Sequence, residues 1–213
     1  MKNATILMLV LLFLGQISGE SQAMPTHAGA HLLISSPLGE MKDVAKTGMG
    51  LGAKFLGTFE MLPWLSIRGD IGYLSYDSKQ NLVNYRGYAI YRITRQEGFQ
   101  LALGPQVMYS HSFFRLYAAP MIGFTYFQTV VSAPELAYYG YNATETQNSY
   151  GAFTWAVSGG VMFDIGLGPL IDIGIKYDHL TNGVRKELDG RQLKSDGADL
   201  TIMLGVVFFS NGL

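Results

Sequence analysis

The chain contains no cysteine. Disulfides are excluded, so an exported protein of this sequence is held by its own packing and hydrogen bonds. Charge is scarce as well: 15% of residues are Asp, Glu, Lys or Arg, against roughly 25% in ordinary soluble domains. The net charge of −1 leaves no electrostatic footprint for nucleic acid. Long apolar runs are also missing. After residue 23 no stretch reaches the roughly 18 apolar residues that a transmembrane helix needs. The exception that is too short is the start of the chain. Met1-Lys2-Asn3 precedes a nearly unbroken apolar run from Ala4 to Leu14, and a more polar stretch ends in Ser21-Gln22-Ala23. A positive start, a short apolar centre and a small-x-small site read as a secretory signal peptide over residues 1–23. Residues 24–213 are then one domain by length.

What the chain does have is alternation. Leu51, Ala53, Phe55, Gly57, Phe59 and Met61 share one parity, against Gly52, Lys54, Thr58 and Glu60. Leu65, Ile67, Ile71 and Tyr73 oppose Ser66, Arg68, Asp70 and Gly72. The same period of two recurs over 99–109, 114–126, 153–163, 171–177 and 200–208, with a weaker strand at about Ala30 to Ser35. Three short breaks, Leu62-Pro63-Trp64, Ser110-His111-Ser112 and Gly166-Leu167-Gly168-Pro169, alternate with long polar connections at 37–47, 77–97, 129–149 and 182–197. Short turns on one side and long loops on the other predict an eight-stranded antiparallel up-and-down transmembrane β-barrel. Both termini would lie in the periplasm and the long connections outside, with outer-membrane lipid and lipopolysaccharide as the partners. Residues 83–95 alternate too. Counting them as a membrane strand would give nine, so they read as a loop, or as a strand extension standing above the bilayer.

The polar parity consists mostly of Gly, Ala, Ser and Thr with a few charges, which suits a narrow lumen rather than a wetted face. Aromatic residues gather at both strand ends. Phe59, Trp64, Tyr109, Phe114, Phe163 and Phe208 lie on the short-turn side, and Tyr73, Tyr126, Phe153, Trp155 and Tyr177 towards the long loops. That is the double girdle of a membrane barrel. Lys54, Glu60, Arg68, Asp70, Arg115, Asp172, Lys176 and Asp178 then fall inside. They predict a buried ion network filling the barrel, because unpaired charges there are expensive.

One segment could carry chemistry. In Tyr177-Asp178-His179-Leu180-Thr181-Asn182-Gly183, His179 and Thr181 are two apart on an extended chain and share the lipid-facing parity of Ile171, Ile173 and Ile175. Ten residues on from Leu170, His179 reaches the outer interface. A histidine beside a hydroxyl is a base–nucleophile pair, which a carboxylate could orient. His111 in a turn, and His27 and His31 at the start of the barrel, form no comparable cluster, and no metal or cofactor is expected.

The stretch His179-Leu180-Thr181-Asn182-Gly183, with Gly197-Ala198-Asp199-Leu200-Thr201 opening the last strand, resembles the lipid A 3-O-deacylase family of outer-membrane barrels. The family has His-x-Ser-Asn-Ala/Gly on the penultimate strand and an acidic residue at the start of the last. The resemblance implies His179 as general base, Thr181 as nucleophile, Asp199 as orienting acid and Asn182 as oxyanion donor. Thr181 stands where the family has serine, and its added methyl restricts rotation. Asp199 lies on the inward parity of its strand; a bulge, or Asp196 in its place, would carry a carboxylate to His179. Two readings of function follow. One is a non-enzymatic barrel with a structural or surface-interaction role in the cell envelope. The other is a lipid A 3-O-deacylase-like esterase using His179 and Thr181.

Overall fold

The computed structural model describes residues 26–43, 45–59, 61–77, 79–85, 88–134, 144–166, 168–188 and 191–210. The proposed signal peptide, Glu60 and Leu167 lie outside them. Among the described residues nine strands follow in order: β1 Thr26–Leu38, β2 Gly48–Phe59, β3 Leu62–Tyr76, β4 Lys79–Tyr85, β5 Tyr88–Ser110, β6 Phe114–Ser132, β7 Thr144–Asp164, β8 Leu170–Leu188 and β9 Arg191–Ser210. Eight of them close into an antiparallel barrel. Each pairs with its sequence neighbours, β9 returns to β1, and β3 pairs directly with the lower part of β5 from Leu65↔Val107 to Ser75↔Glu97.

The ninth, β4, is not part of the wall across the membrane. Among the described residues it pairs only with Tyr88–Thr94, the upper end of β5. Within 83–95, the described residues 83–85 and 88–95 are thus a paired arm and strand extension above the barrel, which leaves the even count intact. The same holds for much of the polar sequence expected as loops. β5 has 23 residues, β7 21 and β9 20, about twice the 9–11 needed to cross the hydrocarbon. The upper halves continue as paired ladders, for example Ser132↔Thr144 and Arg185↔Lys194.

One turn lies elsewhere than expected. Leu62-Pro63-Trp64 is the beginning of β3, not the β2–β3 turn. The register slips from Thr58↔Ser66 to Phe59↔Leu62, so Pro63 sits in a bulge. A bulge at a strand start is where proline's missing N–H is tolerated. The other breaks hold: β5 ends at Ser110, β6 begins at Phe114, and Gly166 and Gly168 take positive φ (74° and 96°) in the β7–β8 turn.

The parity assignment is realised throughout the wall. Leu101, Ile173 and Ile202 are 52%, 44% and 43% exposed on the outside, whereas Arg68 and Asp172 are fully buried inside. A continuous apolar exterior of this extent is incompatible with water and matches a bilayer.

The interior is layered. Near the short turns Leu56, Met108, Met162, Leu170 and Val207 form an apolar plug with the ring of Tyr117. At the opposite mouth, below the long strand extensions, Met41, in the 3-10 turn Gly39–Asp43, and Ala45 pack with Leu74, Tyr76, Phe127, Tyr150 and Leu180. The charged side chains lie between these two apolar layers.

Candidate functional site

Two groups of side chains could act chemically: the interior ion layer and the outward cluster around His179. Inside, Arg68 grips Asp70 with two parallel hydrogen bonds, Nε to Oδ1 at 2.8 Å and Nη2 to Oδ2 at 2.7 Å. Asp172 accepts from Lys54, from the Tyr117 hydroxyl at 3.0 Å, and lies 2.7 Å from His31 Nε2. The Lys54 ammonium also sits 4.3 Å above the Tyr117 ring. Higher up, Lys176 donates to Gln100 Oε1 and lies 3.3 Å from Asp178, which also accepts from Gln100 Nε2 at 2.8 Å. Asp199 accepts from Ser35 and from the Tyr76 hydroxyl. These bonds satisfy most of a layer that would otherwise be prohibitively costly to bury, and leave Asp199 Oδ1 without a hydrogen-bond partner among the described residues.

Of the expected lumen charges, Lys54, Arg68, Asp70, Asp172, Lys176 and Asp178 belong to this layer, and Arg115 is half-buried near the short turns. His31, Asp199, Tyr76 and Tyr117 are members that the sequence reading did not assign to it. His31 was within reach: it alternates in phase with Leu33 and Ser35, both buried.

Outside, His179 and Thr181 share the outward face of β8 and are both half-buried. His179 is opposite Trp155 in register and stacks on its indole, with ring centroids 5.1 Å apart. Tyr177 lies 5.7 Å from the same indole. The side chain of Asn182 lies outside the described residues. Among the described residues no hydrogen bond joins His179 to Thr181.

Asp199 does not reach this cluster. Its carboxylate is turned into the barrel and bound by Ser35 and Tyr76, as the inward parity of its position requires. The acid beside His179 is Asp196, with Oδ2 at 3.6 Å from Nε2. The cause is a bulge. The β8–β9 register passes from Leu180↔Gly197 to Val184↔Ser195, so Thr181, Asn182 and Gly183 oppose Asp196 alone.

The wall also parts here. The β7–β8 ladder ends at Phe153↔Thr181, although β7 runs on to Thr144 and β8 to Leu188. Among the described residues those two upper segments do not pair with each other. His179, Thr181 and Asp196 thus stand at the foot of a seam, where the long strand extensions begin.

An eight-stranded wall, an apolar exterior and a filled interior define the fold of small outer-membrane β-barrels. Solved structures with this fold agree. The chain is similar to Ail, the attachment invasion locus protein of Yersinia pestis, with TM-score 0.51 and 14% identity, over 89% of this chain and 100% of that one. Ail in complex with the heparin analogue sucrose octasulfate aligns with TM-score 0.50 and 14% identity, over 87% and 97%. A major outer membrane protein from Thermus thermophilus aligns with TM-score 0.51 and 12% identity, over 87% and 99%. At these identities the likeness concerns the fold. No family model and no curated protein sequence matches the chain.

Proposed function

We propose that this protein is a non-enzymatic component of a bacterial outer membrane, made with a signal peptide removed after Ala23. Its termini would lie in the periplasm and its strand extensions outside, in contact with lipopolysaccharide. The observation that carries this reading is the asymmetry of the barrel. One end has tight turns, and the other carries long paired extensions with the charge-rich sequence. An extended outer sheet is a surface for contact, and the apolar plug and cap leave the interior to structure. Ail has been solved with a sulfated heparin analogue; in this chain the sequence of the β8–β9 extension includes Arg185, Lys186, Arg191 and Lys194, residue types that pair with anionic groups such as those of lipopolysaccharide.

A second reading rests on the contact between His179 and Asp196. In an esterase, Asp196 would orient the imidazole and His179 would take the Thr181 hydroxyl proton as its oxygen attacks an acyl ester of lipid A. The sugar hydroxyl would leave with that proton, and water would then hydrolyse the acyl-threonine. The seam between β7 and β8 would admit the lipid from the side.

One experiment separates the two. Lipid A is extracted from cells with and without the protein, and from cells making His179→Ala or Thr181→Ala, and is weighed by mass spectrometry. The surface-protein reading expects identical spectra in all four. Loss of one hydroxyacyl chain with the wild type, restored by either substitution, would replace it with the esterase reading.

A further inference from the structure

We infer that the ring of strand extensions is interrupted by a notch two strands wide, and that this notch takes one acidic β-hairpin from a partner protein. The inference rests on the surface-contact reading and names the kind of partner. The notch exists because the extensions do not go all the way round. β1 ends at Leu38, opposite Ala198 of β9, and β2 begins at Gly48, opposite Tyr76 of β3. On either side the wall continues. β9 extends beyond Ala198 through residues 191–197, and β4 carries on above β3 for seven residues, Lys79–Tyr85. Among the described residues each of these segments is paired along one edge only, β4 with β5 and 191–197 with β8. The connector between β1 and β2 turns inward instead of rising between them: its Met41 and Ala45 are buried in the apolar cap.

The geometry of the gap matches a hairpin in width, direction and backbone. Its two edges are separated by the places of β1 and β2, three strand spacings or about 14 Å, which two added strands fill. The edges run in opposite senses, β4 away from the short turns and β9 towards them, so the two arms of one hairpin meet both of them antiparallel. Neither segment contains proline, a residue that commonly blunts an exposed edge. Main-chain hydrogen bonds to an added strand supply affinity there.

Charge selects among hairpins. The two edges carry Lys79, Arg191 and Lys194 against Asp196, an excess of positive charge that favours Asp- and Glu-rich strands. A second copy of the chain is the poorer fit. Inserted the same way up in the bilayer, it would hold its own extensions a barrel's width away.

The test uses the barrel in lipid nanodiscs. The probes are disulfide-closed hairpins with an Asn-Gly turn and arms matched in length to β4, displayed on yeast in one acidic and one basic library. Leu82→Cys on β4 and Gln192→Cys on β9 each carry a photo-crosslinker. Hairpins selected from the acidic library should be captured from both positions, and deleting residues 79–94 should weaken them by roughly tenfold or more, because one of the two ladders is lost. Selection that returns no such binder, or capture from one position alone, overturns the notch. Equal yield from the two libraries overturns its acidic preference. Cross-linking of the barrel to itself with no hairpin present would put a second copy in the gap and overturn the choice of partner. Labelling of Leu82→Cys on intact cells by a membrane-impermeant maleimide separates the two readings. If it labels while hairpins fail, the surface-contact reading stands without the notch; if it does not label, both are overturned.

Discussion

Tyr117 illustrates how single residues fix the interior. Its ring lies along the inner wall across Gly160 and Gly174, which follow it in register on β7 and β8, and its hydroxyl reaches Asp172. A Cβ on Gly174 would come within 2.3 Å of that hydroxyl oxygen, and one on Gly160 within 2.5 Å. Gly174→Ala should therefore push the phenol off Asp172 and lower the temperature at which the folded band converts on a gel. Gly69→Ala is the control, because its nearest atom would be 3.8 Å away, and it should leave that temperature unchanged. Equal behaviour of the two variants would contradict this packing. The Arg68–Asp70 pair makes a second case. Asp70→Ala would strand a fully buried guanidinium, a loss of about 3–5 kcal/mol for breaking a buried pair from one side. Urea titration of the barrel in micelles measures it, and a loss below about 1 kcal/mol would mean that Arg68 finds water or another partner.

At the scale of elements, the β4–β5 hairpin is separable from the barrel. Closure runs through the β3–β5 ladder from Leu65↔Val107 to Ser75↔Glu97, and β4 takes no part in it. Deleting residues 79–94 leaves five residues between Ser75 and Glu97, a length suited to a hairpin. The shortened protein should still assemble and migrate as a heat-modifiable band; failure to assemble would mean that the extension guides closure. The strands themselves were legible in the sequence because lipid on one side and a narrow lumen on the other enforce a period of two. Positions such as Ile173 and Lys176 could be assigned to faces by counting alone. Counting alone does not locate bulges, even where one is needed to bring a carboxylate to His179. At Pro63 the slip moved the turn towards Met61, and at Thr181–Gly183 it set three residues against Asp196. The candidate site was accordingly half readable: the shared face of His179 and Thr181 follows from parity, and the acid beside them depends on the bulge. The upper strands were hidden for another reason. Beyond the bilayer both faces of a ladder meet water, and the alternation that marks a membrane strand fades.

For the whole molecule, one arrangement accounts for the scarcity of charge, the lack of cysteine and the absence of a spanning helix among the described residues. Backbone groups are satisfied around a closed wall, as hydrocarbon demands. Apolar side chains meet lipid outside, and an ion layer between two apolar plugs fills the inside. The orientation of the two parities is the claim on which this arrangement depends. It is tested most directly on β9, using the natural lack of cysteine. Single cysteines at positions 200–204, 206 and 207 are spin-labelled in lipid vesicles, and their collision rates with dissolved oxygen are measured. The rates should be high at Leu200, Ile202, Leu204 and Val206 and low at Thr201, Met203 and Val207. The opposite alternation, or a uniform rate along the strand, would contradict a barrel with its apolar face in lipid.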